Sequence, residues 1–330
     1  MSVSTSHTVG AGAAMATLVS KYTRTPSRVV PRPWSRATPI GTTGGGGRVA
    51  AMADAVARND SGLALVLGGG GPVGLTWMTG LMVGLRAAGI DPAAADRFIG
   101  TSAGAVVGAV LAAGDDPARL LTPQPANSAA YQVDWELVGS IFAVLAEPGD
   151  PVQARRRAGQ LALAAKTGAP EEHVARITAL VGTTAWPERE LLVTAVDVGT
   201  GELQVWTRSG AASLGQALAS STSVPGVFPP IPVAGHAYFD GGTRSPVNAD
   251  LAAGAEVIVI VEPLAHMFAR IRSDRDLGAA TVISVVPDAE SVAAFGPDVF
   301  DPAALAPAYA AGVRQAPAAA EQLREVWPTH

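Results

Sequence analysis

The sequence predicts an α/β fold, a three-layer α/β/α sandwich around a mostly parallel central sheet, with a helical insertion as cover. Three observations lead there. Short apolar runs of buried-strand type recur at residues 63–67, 97–99 and 257–261. The first two are each followed by a glycine-containing turn and then by apolar residues at helical spacing, a βαβα order that demands a parallel sheet covered on both faces. Between Asp115 and about Thr184 strand signals vanish and helical periodicity takes over, a stretch too long for a simple crossover and of the kind that covers active sites.

Composition narrows the function classes. The 330 residues are 48% hydrophobic and only 15% charged, with a net charge of -5, so a large core is within reach and nucleic acid is not an expected partner. The absence of cysteine removes thiol nucleophiles, thiolate metal sites and disulfides together. The five histidines, His7, His173, His236, His266 and His330, show no ligand spacing, so neither metal nor cofactor is expected.

Residues 1–60 stand apart as a basic arm rich in Gly, Pro and Ser. They carry Lys21, Arg24, Arg28, Arg32, Arg36 and Arg48 and no acidic residue before Asp54. We expect a disordered tail. Attraction to anionic lipid is a lesser alternative, as is a translation start at Met52. The order of a secretory signal is missing, which gives a cytoplasmic expectation with peripheral contact to lipid. The uncharged stretch 61–85 is long enough to span a bilayer, but four glycines and a proline break it into strand, loop and helix.

Residues 61–330 read as one domain. Leu63-Ala64-Leu65-Val66-Leu67 is the first strand, and Gly68-Gly69-Gly70-Gly71 turns the chain. Pro72 suits a first helical turn, Leu75, Met78, Leu81, Met82 and Leu85 follow at helical spacing, and Gly89 closes the helix. The second strand ends at Gly100 and a helix starts after Ser102. Within the insertion, 115–184, residues 133–145, 152–165 and 171–181 form amphipathic helices, with Arg155, Arg156 and Arg157 on a solvated face. Residues 190–196 resume the sheet, and 203–207 return as a hairpin after Gly199-Thr200-Gly201. A helix at 214–219 precedes a proline-marked loop through Pro225, Pro229, Pro230 and Pro232, and Ala237-Tyr238-Phe239 runs into Asp240-Gly241-Gly242. Residues 257–261 and 281–286 are buried strands, and the alanine-rich tail, 302–326, forms two helices.

Two loops carry the chemistry. Gly100-Thr101-Ser102-Ala103-Gly104 lies in the strand, sharp turn, helix context that presents a nucleophilic serine, and the helix behind it favours negative charge on the serine oxygen. Glycine is abundant, 37 of 330 residues, so the context and not the bare motif carries the assignment. The Gly68–Gly71 loop sits at the carboxyl end of the neighbouring strand, on the same sheet edge. Its consecutive backbone N–H groups suit a developing oxyanion. The proton acceptor is open at this level: Asp240, before two glycines, fits a base at a loop tip and a β-turn aspartate equally well.

Gly69-Gly70-Gly71-Pro72-Val73-Gly74, Gly100-Thr101-Ser102-Ala103-Gly104 and Asp240-Gly241-Gly242, in that order, resemble the three motifs of the patatin-like phospholipases. The likeness covers residues 62–288 and extends to Ser221–Gly226, Phe228-Pro229-Pro230 and the 257–261 strand. It implies a patatin-like fold and lipid acyl-ester hydrolysis at a lipid surface by a Ser-Asp dyad, with Ser102 as nucleophile, Asp240 as base and Gly69, Gly70 and Gly71 as the oxyanion loop. Gly74, Gly100, Gly104, Gly241 and Gly242 are the supporting motif glycines. One departure is visible: Val73 stands where the family usually carries Arg or Lys.

Two other readings compete. An α/β-hydrolase triad would use Ser102, Asp240 and His266, or His236 in its place. A dinucleotide-binding protein would use Gly69-x-Gly71-x-x-Gly74, but would want an acidic residue where Gly100-Thr101-Ser102 ends the second strand.

Overall fold

The computed structural model describes residues 62–121 and 133–328; the arm expected over 1–60 and the alternative start at Met52 lie outside them. Strand β1 (Leu63–Leu67) is buried at every position, which is why it reads as a continuous apolar run. It feeds through the glycine loop into helix α1 (Gly71–Ala87), which has Pro72 in its first turn. Strand β2 (Arg97–Gly100) leads through Ser102 into α2 (Ala103–Ala112), whose residues are all buried. The insertion supplies α3 (Trp135–Leu145), α4 (Pro151–Ala164) and α5 (Pro170–Val181). Then come β3 (Glu190–Asp197), β4 (Leu203–Trp206), α6 (Leu214–Ser221), β5 (Ile231–Val233), β6 (His236–Asp240), β7 (Val257–Val261), β8 (Thr281–Val285), α7 (Ala289–Phe295) and α8 (Leu305–Leu323). Helices cover both faces of the sheet, the three-layer α/β/α sandwich that the sequence predicts.

The eight strands form one sheet along the path β5-β6-β3-β2-β1-β7-β8, with β4 also paired to β3. Strands β1, β2, β3, β7 and β8 are parallel, while β4 and β6 run antiparallel to β3. The register on β3 decides the site. Val193 pairs with both Trp206 and Gly100, so β2 and β4 lie on opposite edges of β3. Val196 pairs with both Leu203 and Phe239, so β6 lies opposite β4, on the β2 edge. Thus β2 and β6 meet end to end along one edge of β3, Gly100 beside Val193 and Asp240 beside Ala195.

Several local expectations change. The proline loop ends in strand β5, joined to β6 through Ala234 (φ 49°) and Gly235 (φ 84°), the two left-handed residues of a tight hairpin turn. Strand β8 is an edge strand with Val282 40% exposed, because periodicity cannot tell a covered strand from a bare edge. The tail is one long helix, α8, with Pro317 inside it, after a single 3-10 turn. Arg155 is buried and donates from Nε to the Gly201 carbonyl at 2.6 Å, leaving Arg156 and Arg157 on the solvated face. No helix among the described residues is long and apolar enough to cross a membrane.

Helix α8 packs closely along α1, the helix that carries the glycine loop. Small residues permit the approach: Gly80 faces Tyr309, Gly84 faces Ala316, and Gly312 faces the Trp77 carbonyl. A Cβ on Gly312 would collide with that backbone, so α1 and α8 would have to separate. Overpacking of this kind costs about 1–3 kcal/mol. Gly312→Leu should therefore lower the melting temperature by roughly 2–10 °C. A melting temperature within about 1 °C of wild type would contradict the close packing of α1 and α8.

Candidate functional site

The meeting of β2 and β6 on β3 delivers Ser102 and Asp240 to one point. Ser102 sits between β2 and α2 with φ 53° and ψ -122°, a backbone that a serine adopts only under constraint. Its own N–H donates to Ser221 Oγ at 2.9 Å, from the last residue of α6, and the preceding Thr101 N–H donates to the Leu67 carbonyl. Gly104 is required by space, since a Cβ there would collide with the Leu67 carbonyl. Strand β1 and helix α2 approach closely for that reason, and the turn between β2 and α2 is tight.

Ser102 Oγ donates to Asp240 Oδ2 at 2.7 Å, and both residues are buried. The carboxylate also fills the turn role expected of an Asp-Gly pair, because Oδ1 accepts the Gly242 N–H at 2.7 Å. One oxygen shapes the loop and the other holds the serine. Burial pushes the Asp240 carboxyl up to about 7, against the two hydrogen bonds, which favour the charged form.

The glycine loop faces the same point. Gly70 and Gly71, at the start of α1, line one cavity with Ser102 and Asp240. Gly71 needs its left-handed backbone (φ 59°) to make the turn. Among the described residues no group accepts the N–H of Gly70 or Gly71. Gly69 differs from expectation. Its N–H donates to the Pro246 carbonyl at 2.8 Å, which tethers the loop and leaves this amide committed. Val73 is fully buried, its N–H bonded to the Val299 carbonyl.

The cavity holds about 690 Å³ of empty space, part of it open to solvent. Its walls are mostly apolar: Phe142 from α3, Val224, Leu264, Phe268, Val299 and Phe300. The ring of Trp135, at the start of α3, meets Phe300 at 6.2 Å, so an insertion helix closes one side.

Neither candidate histidine joins the pair. His236 lies at the far end of β6, four residues or roughly 13 Å along an extended strand from Asp240. Its Nδ1 pairs with Asp197 Oδ2 at 2.9 Å. His266 packs edge-on against Phe295, and burial lowers its pKa. Among the described residues, no histidine hydrogen-bonds to Ser102 or Asp240. The triad geometry is therefore not formed among the described residues, since the Ser102 hydroxyl is bonded to Asp240 itself rather than to a ring nitrogen. The dinucleotide reading lacks its ribose-holding acid, because β2 ends at Gly100 and continues into Thr101 and Ser102.

Sequence reasoning missed a buried polar brace below the site. The Asn248 side-chain amide donates to Thr101 Oγ1 at 3.0 Å, to the Ser245 carbonyl at 2.9 Å and to the Gly241 carbonyl at 3.3 Å. It ties the residue before Ser102 to the residue after Asp240. Arg244 donates to Asn248 Oδ1 at 2.6 Å, which fixes the orientation of the amide. Thr101 Oγ1 lies 2.9 Å from Thr194 Oγ1 on β3. No spacing rule singles out Asn248 or Ser221; only the fold brings them to the two loops.

Comparison with known proteins gives two kinds of likeness. The family model described as patatin-like phospholipase matches residues 65–253. Among solved structures, VipD from Legionella pneumophila shares 14% identity with a TM-score of 0.41, over 80% of this chain and 67% of that one. The type III effector protein ExoU shares 18% identity with a TM-score of 0.34, over 80% of this chain and 53% of that one. The chain therefore spans about two thirds of the first and about half of the second.

The buried carboxyl links the site to stability. The folded-state value, about 7, lies above the ordinary aspartate value of 3.8, so the folded protein holds this proton more tightly. The stabilisation is complete below the unfolded value and is lost as pH rises through the folded one. Asp240→Asn removes the buried charge and should raise the melting temperature relative to wild type. The gain should be larger at pH 8 than at pH 5 by an amount on the order of 2–3 kcal/mol. An equal gain at both pH values would show that Asp240 is not the strained ionisation.

Proposed function

This chain belongs to the patatin-like phospholipase family, and from that membership we propose that it hydrolyses acyl esters of lipids through a dyad of Ser102 and Asp240. The observation that carries this reading is the 2.7 Å hydrogen bond from Ser102 Oγ to Asp240 Oδ2 at the foot of an apolar cavity.

In the first half-reaction Ser102 Oγ attacks the ester carbonyl carbon while Asp240 Oδ2 takes the hydroxyl proton. Negative charge moves to the carbonyl oxygen, where the unpaired N–H groups of Gly70 and Gly71 receive it at the start of α1. The tetrahedral species collapses, the C–O bond to the alcohol breaks, and Asp240 returns the proton to the departing oxygen. Water then attacks the acyl-serine carbonyl and gives a proton to Asp240; the bond from the acyl carbon to Ser102 Oγ breaks, Asp240 returns the proton to Oγ, and the carboxylic acid leaves. A pKa near 7 suits a group that must accept and return one proton in each half-reaction.

The strained backbone at Ser102 supports the same reading. It costs about 1–3 kcal/mol and is held by the Ser221 hydroxyl and by the helix behind it. Ester carbonyls reach the cavity from its open side, and a lipid surface is the expected source.

A fluorophosphonate probe should label the wild-type protein once, and Ser102→Ala should abolish both labelling and ester hydrolysis. His236→Ala and His266→Ala should each leave kcat/KM within about tenfold, or 1.4 kcal/mol of barrier. Labelling that survives Ser102→Ala, or a histidine variant as inactive as Ser102→Ala while still folded, would sink the dyad.

A further inference from the structure

The charge around the cavity, taken with the reaction proposed above, narrows its substrate. Asp240 is the only ionisable side chain that lines the cavity among the described residues. Arg244 and Arg270, close by in the sequence, are engaged by other acceptors. Arg244, next to the lining residue Thr243, is held by Asn248 and Asp250 and does not line the cavity. Arg270 lies behind the glycine loop, where it pairs with Glu262 and also donates to Ser284.

The outer wall carries the opposite sign. Asp134 and Glu136 stand at the start of α3, the helix that contributes Phe142, and both are exposed. Asp298 and Asp301 flank Val299 and Phe300. Residues 133–146 and 295–304, which build this wall, contain no Lys or Arg. Val73, under the glycine loop, is a buried apolar side chain.

A phosphodiester near the scissile ester would therefore lose water in an apolar cavity without gaining a cationic partner among the described residues. It would also sit beside Asp240 at the moment when that carboxylate must be ionised, and like charges repel most strongly where water is excluded. An uncharged alcohol half meets neither penalty. We propose that the substrate is an uncharged acyl ester, one whose alcohol portion carries no phosphate, of the class represented by monoacylglycerols. The inference rests on the ester-hydrolase reading and adds the chemistry of the leaving alcohol.

The test presents the full chain with three decanoyl lipids at equal mole fraction in neutral detergent micelles: a monoacylglycerol, a phosphatidylcholine and a phosphatidylglycerol. Decanoic p-nitrophenyl ester serves as the reference. The glycerol ester should turn over at least tenfold faster than either phospholipid. Phe268 lines the mouth and is 37% exposed, so Phe268→Arg places a cation there with little loss of packing. It should narrow the gap between phosphatidylglycerol and monoacylglycerol at least threefold. Equal rates on the three lipids, or a gap that Phe268→Arg leaves unchanged, would overturn the charge argument while the hydrolase reading stands. Failure to cleave any of the four esters would overturn the hydrolase reading and the inference with it.

Discussion

A buried carboxylate hydrogen-bonded to a buried serine is the constraint around which this molecule is arranged. Such a pair is unstable by itself, because a charge without a cationic partner resists removal from water. The fold compensates with direction. Strands β2 and β6 run toward each other along one edge of β3, so their ends bring Ser102 and Asp240 together without a flexible loop. Asn248 then braces the two turns from below, and Gly242 holds the second carboxylate oxygen. The hydroxyl and the carboxylate are thereby in direct contact, with no imidazole between them.

The parallel βαβα unit and the two loops were legible in the sequence because each rests on local physics. Continuous apolar runs mark strands covered on both faces, and glycines mark the turns that follow them. Elements whose identity depends on distant partners were not legible. Strand β8 has the composition of a buried strand but lies at an edge, and Pro317 suggests a break that packing against α1 overrides. Arg155 has the look of a solvated charge until β3 and β4 place the Gly201 carbonyl beside it. Asp240 is the instructive case. Spacing divides evenly between a turn residue and a base, and in the structure one oxygen accepts the Gly242 amide of the turn while the other accepts the Ser102 hydroxyl.

The glycine loop shows a similar division of labour. Three glycines read alike in sequence, yet Gly69 is bonded to Pro246 while Gly70 and Gly71 keep their amides free among the described residues. Anchoring one donor fixes the direction of the next two, which is what preorganisation requires. The surrounding walls are apolar and acidic rather than basic. Burial raises the Asp240 carboxyl, and the same exclusion of water disfavours a second negative charge beside it, so the proposed acid–base chemistry and the proposed choice of ester have a common physical origin.

The pH dependence of kcat/KM on a neutral p-nitrophenyl ester tests Asp240 as the base most directly. Activity should rise with pH through a single ionisation near 7, the value to which burial pushes this carboxyl. The limb should stay in place in His236→Ala and His266→Ala. A profile that is flat down to pH 5, or a limb that moves or disappears in either histidine variant, would contradict Asp240 as the proton acceptor.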